Sequence, residues 1–127
     1  MGSKMRNTLV GLLATACLLS FVPSAGAADE RNITIYNATG YGIKHIGVGK
    51  PGEDDFEENE LSHVLRDGDS VYIKFTKADK GCKWAIKIEW AQEGYPSPII
   101  PNINLCEIDD IRFLYDKSTG QTSYQTR

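Results

Sequence analysis

The clearest pattern along the chain is the alternation of apolar and polar residues in the segment CKWAIKIEW, residues 82–90. Every second residue is cysteine, tryptophan or isoleucine, and the residues between them are lysine, alanine or glutamate. A period of two is that of a β-strand with one buried face. The segment therefore predicts a central strand, with Trp84 and Trp90 in the core.

Weaker versions of the same pattern recur on both sides of this segment. They are NITIYN (32–37), YGIKHIGVG (41–49), SVYIKFT (70–76), IRFLYD (111–116) and QTSYQT (121–126). In the second of them Ile43 is out of phase with Ile46 and Val48, which predicts a β-bulge near His45. PIIPNINL (98–105) contains Pro101, which predicts an edge strand or an irregular segment.

No long stretch has the period of 3.6 that is typical of an amphipathic helix. The apolar segments span five to nine residues and are separated by glycine, proline, asparagine and aspartate. These features predict an all-β fold, a small antiparallel sandwich or barrel of six or seven strands.

Residues 1–27 have the three-part layout of a secretory signal peptide. Lys4 and Arg6 precede an apolar run over residues 9–22, and small residues occupy 25–27. The run is too short for a membrane anchor, which needs about 20 apolar residues. A lipoprotein signal ending at Cys17 is the minor alternative. The expected domains are a signal peptide over 1–27, cleaved after Ala27, and a single β domain over 28–127, in the periplasm or outside the cell.

The mature chain retains two cysteines, Cys82 and Cys106. In an oxidising compartment we expect them to form a disulfide, because no further cysteine or histidine stands at zinc-like spacing. Closing this loop of 25 residues should stabilise the fold by about 3.5 kcal/mol. Since Cys82 is in phase with Trp84, we expect the bridge in the core, tying the central strand to the entry of the strand that contains Ile111.

The charge balance excludes two classes of partner. Loss of Lys4 and Arg6 with the signal leaves 12 basic residues against 17 acidic ones, a net charge of −5. Nucleic acids and anionic membrane surfaces are bound through lysine and arginine. We therefore expect neither a nucleic-acid partner nor membrane insertion after cleavage, and we expect a monomer.

Acidic residues are concentrated in the segment GEDDFEENE, residues 52–60, which contains six carboxylates around a single phenylalanine. Mutual repulsion predicts a surface loop or a single helical turn between the second and third strands. Its candidate partner-binding residues, for a basic protein, are Asp54, Asp55, Phe56, Glu57 and Glu58. A purely solvated loop is the alternative. For Phe56 itself we expect an anchor that holds the segment to the body of the domain, the other possibility being an exposed contact residue.

The sequence contains no recognisable motif for metal binding or for catalysis. An EF-hand loop starting at Asp55 would have Glu60 where glycine is needed and Arg66 where glutamate is needed. A calcium site built from two loops stays open. Ser62 and His63 are adjacent, and on a strand they would point to opposite faces; the same holds for the carboxylate pair at 109–110. We expect no catalytic residue, no metal site and no cofactor.

Several motifs together resemble a group of small secreted bacterial proteins of unknown function. They are NATGYGIKHIGVG (37–49), the acidic segment, LRDGDSVYIKF (65–75), CKWAIKIEW and NLCEIDDI (104–111). The likeness spans most of the mature chain. It implies secretion and a β fold with two cysteines, and it implies nothing about chemistry.

The function predicted from these observations is a small exported, non-catalytic binding domain, an inhibitor or neutraliser of another secreted protein. The alternatives are a structural domain associated with the cell envelope and, after it, a calcium-binding module or an enzyme. Tyrosines are favoured at protein interfaces. The candidates for an exposed face are Tyr41, Tyr72, Tyr95 and Tyr124.

The first testable prediction concerns export. The intact mass of the exported protein should correspond to a chain that begins at Ala28, because residues 25–27 satisfy the small-residue rule of signal peptidase. A lipid-modified chain beginning at Cys17 would contradict this prediction.

Overall fold

Seven β-strands form the framework of residues 29–127, the part of the chain that the computed structural model describes. The predicted signal peptide, its cleavage site and Cys17 lie outside the described residues. The strands are β1 Ile33–Ala38, β2 Ile43–Gly49, β3 Ser70–Ile73, β4 Lys83–Trp90, β5 Ile99–Asn104, β6 Asp110–Asp116 and β7 Gln121–Thr126. A 3-10 turn, Leu105–Glu107, lies between β5 and β6.

The strands form two sheets, which pack as a sandwich. One sheet has the order β3-β1-β6-β7 and the other the order β2-β4-β5. The all-β prediction is confirmed, with one difference in detail. β1 and β6 are parallel, whereas the other pairs of neighbouring strands are antiparallel. Parallel neighbours need a crossover connection. Here the connection between β1 and β6 contains β3 and all three strands of the second sheet.

The inner faces of the two sheets supply the hydrophobic core. In β1 and β6 the inward positions are the alternate residues that the sequence indicated, and in β4 the two tryptophans and two isoleucines are buried as predicted. The most deeply buried side chains are Ile35, Ile43, Ile46, Trp84, Ile86, Ile88, Leu105, Ile111 and Phe113. A period of two thus places the inner faces of the strands correctly. β2 and β4 are also covered in part on their outer faces, where Gly47, Gly49 and Ala85 are buried.

The sequence also predicted two irregularities of the sheets, a bulge in β2 and a proline in β5. The pairing of β2 with β4 shifts register between Ile43 and His45, which confirms the bulge. β5 is an edge strand and contains Pro101. The third strand is shorter than its pattern, since it ends at Ile73. Phe75 nevertheless packs on Trp84, with ring centroids 4.7 Å apart.

The disulfide between Cys82 and Cys106 is present. It joins the residue before β4 to the 3-10 turn that leads to β6, as expected. Its predicted place in the core was wrong, because both cysteines are only partly buried. The reason is that β4 begins after Cys82, so the alternation ends at the rim of the sandwich.

The acidic loop, residues 52–60, covers the outer edge of β2. The side-chain amide of Asn59 bonds to the backbone of β2, as a neighbouring strand would. Its Oδ1 accepts a hydrogen bond from the Ile46 N–H (3.0 Å), and its Nδ2 donates one to the Lys44 carbonyl (2.9 Å). The Glu60 N–H donates to the Ile46 carbonyl at 2.9 Å. The segment between the second and third strands is therefore a loop, as expected, and it occupies backbone groups that an edge strand would otherwise expose.

Phe56 anchors this loop. Its side chain is buried, with 7% exposed, while Asp54, Asp55, Glu57 and Glu58 are exposed. The loop backbone lies so close to β2 that a Cβ on Gly47 would stand 2.5 Å from the Phe56 carbonyl oxygen. Glycine at this position is what permits the close approach.

Phe56→Ala should lower the free energy of unfolding by about 2–3 kcal/mol, because it removes a buried ring from the contact that holds the loop. Chemical denaturation of the oxidised protein measures this change.

The matched control replaces Asp54 and Asp55 with asparagine and Glu57 and Glu58 with glutamine in one variant. These carboxylates are exposed, so the free energy of unfolding should change by no more than about 1 kcal/mol. Severe unfolding of the neutralised variant would overturn the assignment of Phe56 as the anchor.

Candidate functional site

A cleft of about 440 Å³ opens at one end of the sandwich. We call it the aromatic cleft. Its walls come from the β1–β2 connection, the end of β4 and the β4–β5 loop, and from the end of β6, the following turn and the start of β7. The lining residues are Tyr41, Trp90, Gln92, Tyr95, Pro96, Pro98, Tyr115, Lys117, Gly120, Gln121 and Thr122.

Three rings form the floor of the cleft. Tyr41, Trp90 and Tyr115 contact one another edge to face, with centroids 6.4 Å apart for Tyr41–Trp90 and 5.6 Å apart for each of the other two pairs. Edge-to-face pairs of this kind each add about 0.5–1.5 kcal/mol beyond the burial of area. The floor is thus a packed cluster that joins the two sheets, since Trp90 ends β4 and Tyr115 belongs to β6.

Trp90 also positions the outer wall. Its Nε1 donates a hydrogen bond to the Pro96 carbonyl at 3.1 Å, and the side chain is 8% exposed. This bond ties the β4–β5 loop, with Tyr95, Pro96 and Pro98, to the end of β4. Tyr95 itself is 55% exposed and forms the most accessible ring of the cleft.

The polar groups of the cleft are placed at its rim. Within residues 29–127, no hydrogen bond uses the hydroxyls of Tyr41, Tyr95 or Tyr115, and the side chains of Gln92 and Gln121 are likewise unpaired. Among the described residues that line the cleft, Lys117 alone is charged. An apolar floor with a few polar groups around it is the usual composition of a ligand pocket.

Asn37 holds the tyrosine that forms one side of the floor. Its Nδ2 donates to the carbonyls of Tyr41 (2.7 Å) and Leu65 (2.9 Å). Its Oδ1 accepts from the Thr39 N–H (3.0 Å) and from the Thr39 hydroxyl (2.7 Å). The amide is 1% exposed, and all four of its hydrogen-bonding positions are used.

The residues around Asn37 complete the same connection. Gly40 has φ of +89°, a left-handed conformation that favours glycine, and its N–H donates to Asp67 Oδ1 at 2.8 Å. The Asn-x-Thr-Gly-Tyr opening, residues 37–41, is therefore a hydrogen-bonded turn that fixes the backbone of Tyr41. In the sequence this motif is only one part of a resemblance to other proteins. The role of its asparagine was not predicted.

The acidic loop has a different character from the cleft. Asp54, Asp55, Glu57 and Glu58 lie together on its exposed side, as the sequence predicted, but Phe56 points away from them and is not available to a partner. Lys77 approaches Glu58 at 3.8 Å. Burial raises the pKa of the Glu60 carboxyl, and the neighbouring charge of Glu58 raises it further.

His45 lies under this loop. Its Nε2 is 2.7 Å from the Phe56 carbonyl oxygen, and a carbonyl only accepts, so Nε2 carries the proton. Its Nδ1 is 4.0 Å from Glu89 Oε2. The contacts of this histidine are those of a structural residue that joins the loop to β2.

The exposed tyrosines do not form one face. Tyr41 and Tyr95 line the aromatic cleft, whereas Tyr72 on β3 and Tyr124 on β7 do not. Trp90 and Tyr115 were predicted only as inward positions, and their part in the cleft was missed. One feature of the sequence could have indicated this role. Each of the two is the last apolar residue of its strand, and at that position the buried face of the strand reaches the end of the sandwich.

The residues considered for catalysis are two pairs of sequence neighbours, Ser62–His63 and Asp109–Asp110. Ser62 Oγ lies 3.1 Å from His63 Nδ1, so the expectation that they diverge was wrong, because they lie in a bend and not in a strand. Both are exposed. Of the carboxylate pair, Asp110 binds Arg127 at 2.8 Å and Asp109 is exposed. Within residues 29–127, no three histidine, cysteine or acidic side chains are grouped so that they could hold a metal ion.

Comparison with family models, curated proteins and solved structures gives no match for this chain. Residues 29–127 contain no helix with the length and apolar character that crossing a membrane requires. The disulfide and this finding are compatible with an exported protein.

Asn37→Asp should destabilise the fold by on the order of 3 kcal/mol, because it replaces two donated hydrogen bonds with a buried carboxylate facing two carbonyls. Thr39→Val is the control: it keeps the Asn37 amide and removes only hydroxyl bonds, at about 1 kcal/mol. Chemical denaturation measures both changes. Equal stability of the wild-type protein and Asn37→Asp would contradict the central role of this amide.

Proposed function

We propose that the protein is an exported, non-catalytic binding domain that recognises another exported protein through the aromatic cleft and thereby inhibits or neutralises it. The observation that carries the proposal is the cleft itself, which has an aromatic floor, a polar rim and tyrosine hydroxyls without a hydrogen-bond partner among residues 29–127, at the end of a disulfide-linked sandwich. Its volume of about 440 Å³ lies within the range of about 300–1,000 Å³ that is usual for ligand sites.

The chemistry of the cleft suits a protein partner. Tyrosine and tryptophan offer large contact areas at a low cost in side-chain entropy, and they dominate the energetics of protein interfaces. Tyr41, Trp90 and Tyr115 are already held against one another, so binding needs little further ordering of this floor.

The occupant that fits is an apolar side chain on a loop of the partner. Such a side chain would lie on the Tyr41–Trp90–Tyr115 floor and against Tyr95, and the carbonyl groups of the same loop would accept hydrogen bonds from the free hydroxyls. Lys117 at the rim would favour a partner segment with a carboxylate or a chain end.

A second candidate function rests on the acidic loop. Four exposed carboxylates on a loop held by Phe56 would attract a basic protein and raise its rate of association. Such an effect should fall steeply as salt is added, whereas burial of an apolar side chain in the cleft should depend little on salt. The third candidate is an envelope-associated structural domain in which the acidic loop contributes only solubility and edge protection.

Site-specific photocrosslinking in the exporting cell tests the proposal. We expect p-benzoylphenylalanine in place of Tyr95 to crosslink one specific exported protein. The matched control is the same substitution at Tyr72, because the two tyrosines are equally exposed (55% and 56%) and only Tyr95 lines the cleft.

Three outcomes are distinguishable. A crosslink at position 95 alone supports the cleft, and loss of that adduct in a Trp90→Ala background that still folds strengthens the assignment. A crosslink from position 57 in the acidic loop, abolished by salt, supports the basic partner instead. No specific adduct at any of the three positions would contradict a protein-binding function.

A further inference from the structure

The four outer strands of the two sheets differ in how their edges are protected. The acidic loop covers β2, Pro101 interrupts β5, and β3 has only four residues. β7 has six residues and pairs with β6 over its full length without a register shift. From Gln121 to Thr126 it contains no charged residue and no proline, which are the usual devices against edge-to-edge pairing.

The hydrogen-bond pattern shows which backbone groups of β7 have no partner within residues 29–127. Asp110 and Arg127 exchange both backbone bonds (2.9 and 3.0 Å). Paired residues alternate along an antiparallel ladder, so Gln121, Ser123 and Gln125 bond to β6. The N–H and C=O groups of the alternate residues then point away from the sheet. These residues are Thr122, Tyr124 and Thr126.

We propose that β7 is a self-association surface, through which two copies of the chain join into one continuous sheet. The strands would run antiparallel about a two-fold axis at Tyr124. In this register Thr122 of one copy lies opposite Thr126 of the second, and Tyr124 lies opposite Tyr124. All six outward backbone groups of each strand are then paired, with six hydrogen bonds in total.

The side chains favour a second copy as the occupant. The opposed residues between positions 122 and 126 are neutral on both strands, so no like charges face each other despite the acidic balance of the chain. Tyr124 is 41% exposed, and its pairing at the axis would place two tyrosine side chains together. The register is self-complementary, because the three outward residues are placed symmetrically about Tyr124.

The association should be weak. A single strand buries less than the approximately 800 Å² per partner of a standard interface, so the dimer should dissociate on dilution. This proposal replaces the expectation of a monomer, and it does not depend on what the aromatic cleft binds.

Sedimentation equilibrium of the purified exported protein over a concentration series tests the proposal. We expect a monomer–dimer equilibrium. Tyr124→Lys places two ammonium groups opposite each other at the axis and should raise the dimer Kd at least tenfold. Ser123→Lys is the matched control, because it adds the same charge opposite Gln125, and it should change Kd less than threefold.

Hydrogen exchange provides a readout that needs no substitution. The amides of Thr122 and Tyr124 should become protected only as concentration rises, while the amide of Ser123, which bonds to β6, stays protected throughout. Monomer at every concentration would overturn the proposal. So would a dimer that withstands Tyr124→Lys and leaves the exchange of these two amides unchanged.

Discussion

The buried side-chain amide of Asn37 is the contact on which the arrangement of the two sheets and the cleft depends. It lies at the end of β1, in one sheet, and its donors hold the carbonyls of Tyr41 and Leu65, which flank the start of β2 in the other. Its backbone also binds the turn before β3, through Asp69 and Gly68. Because a buried amide is costly unless every position is bonded, this one group sets the path of three segments together and places the Tyr41 ring on the floor of the cleft.

The acidic loop has a structural role that explains its position but not its charge. Hydrogen bonds from Asn59 and Glu60 close the edge of β2, and Phe56 packs against a strand in which Gly47 leaves room for the loop backbone. The carboxylates take no part in these contacts and face solvent. Protection of the β2 edge therefore depends on Asn59, Phe56 and Gly47. The four outward carboxylates instead determine the surface potential of the loop and the rate at which charged partners approach it.

The aromatic cleft and the free edge of β7 meet at Gln121 and Thr122, which line the cleft and also begin the edge strand. Within residues 29–127, β7 pairs on one side only, and the residues on its inner face are threonine and tyrosine, opposite the isoleucine, phenylalanine and tyrosine of β6. A strand with a polar inner face adds little to the core, which makes a role in interaction the better explanation of its length and neutrality.

The alternation of residues was enough to predict the all-β class, the strand positions and the bulge near His45. Individual residues predicted the edge character of the Pro101 strand, the disulfide pair and the anchoring of the acidic loop by Phe56. Each of these depends on which face of a strand is apolar, or on a residue whose backbone or thiol chemistry is local. The parallel pairing of β1 with β6, the partly buried disulfide, the Ser62–His63 contact and the aromatic cleft were decided only by the tertiary structure. Tyr41, Tyr95 and Tyr115 are up to 74 positions apart in the chain, and a period of two carries no information on which strand ends meet. That choice comes from packing two twisted sheets and from satisfying every buried polar group at once.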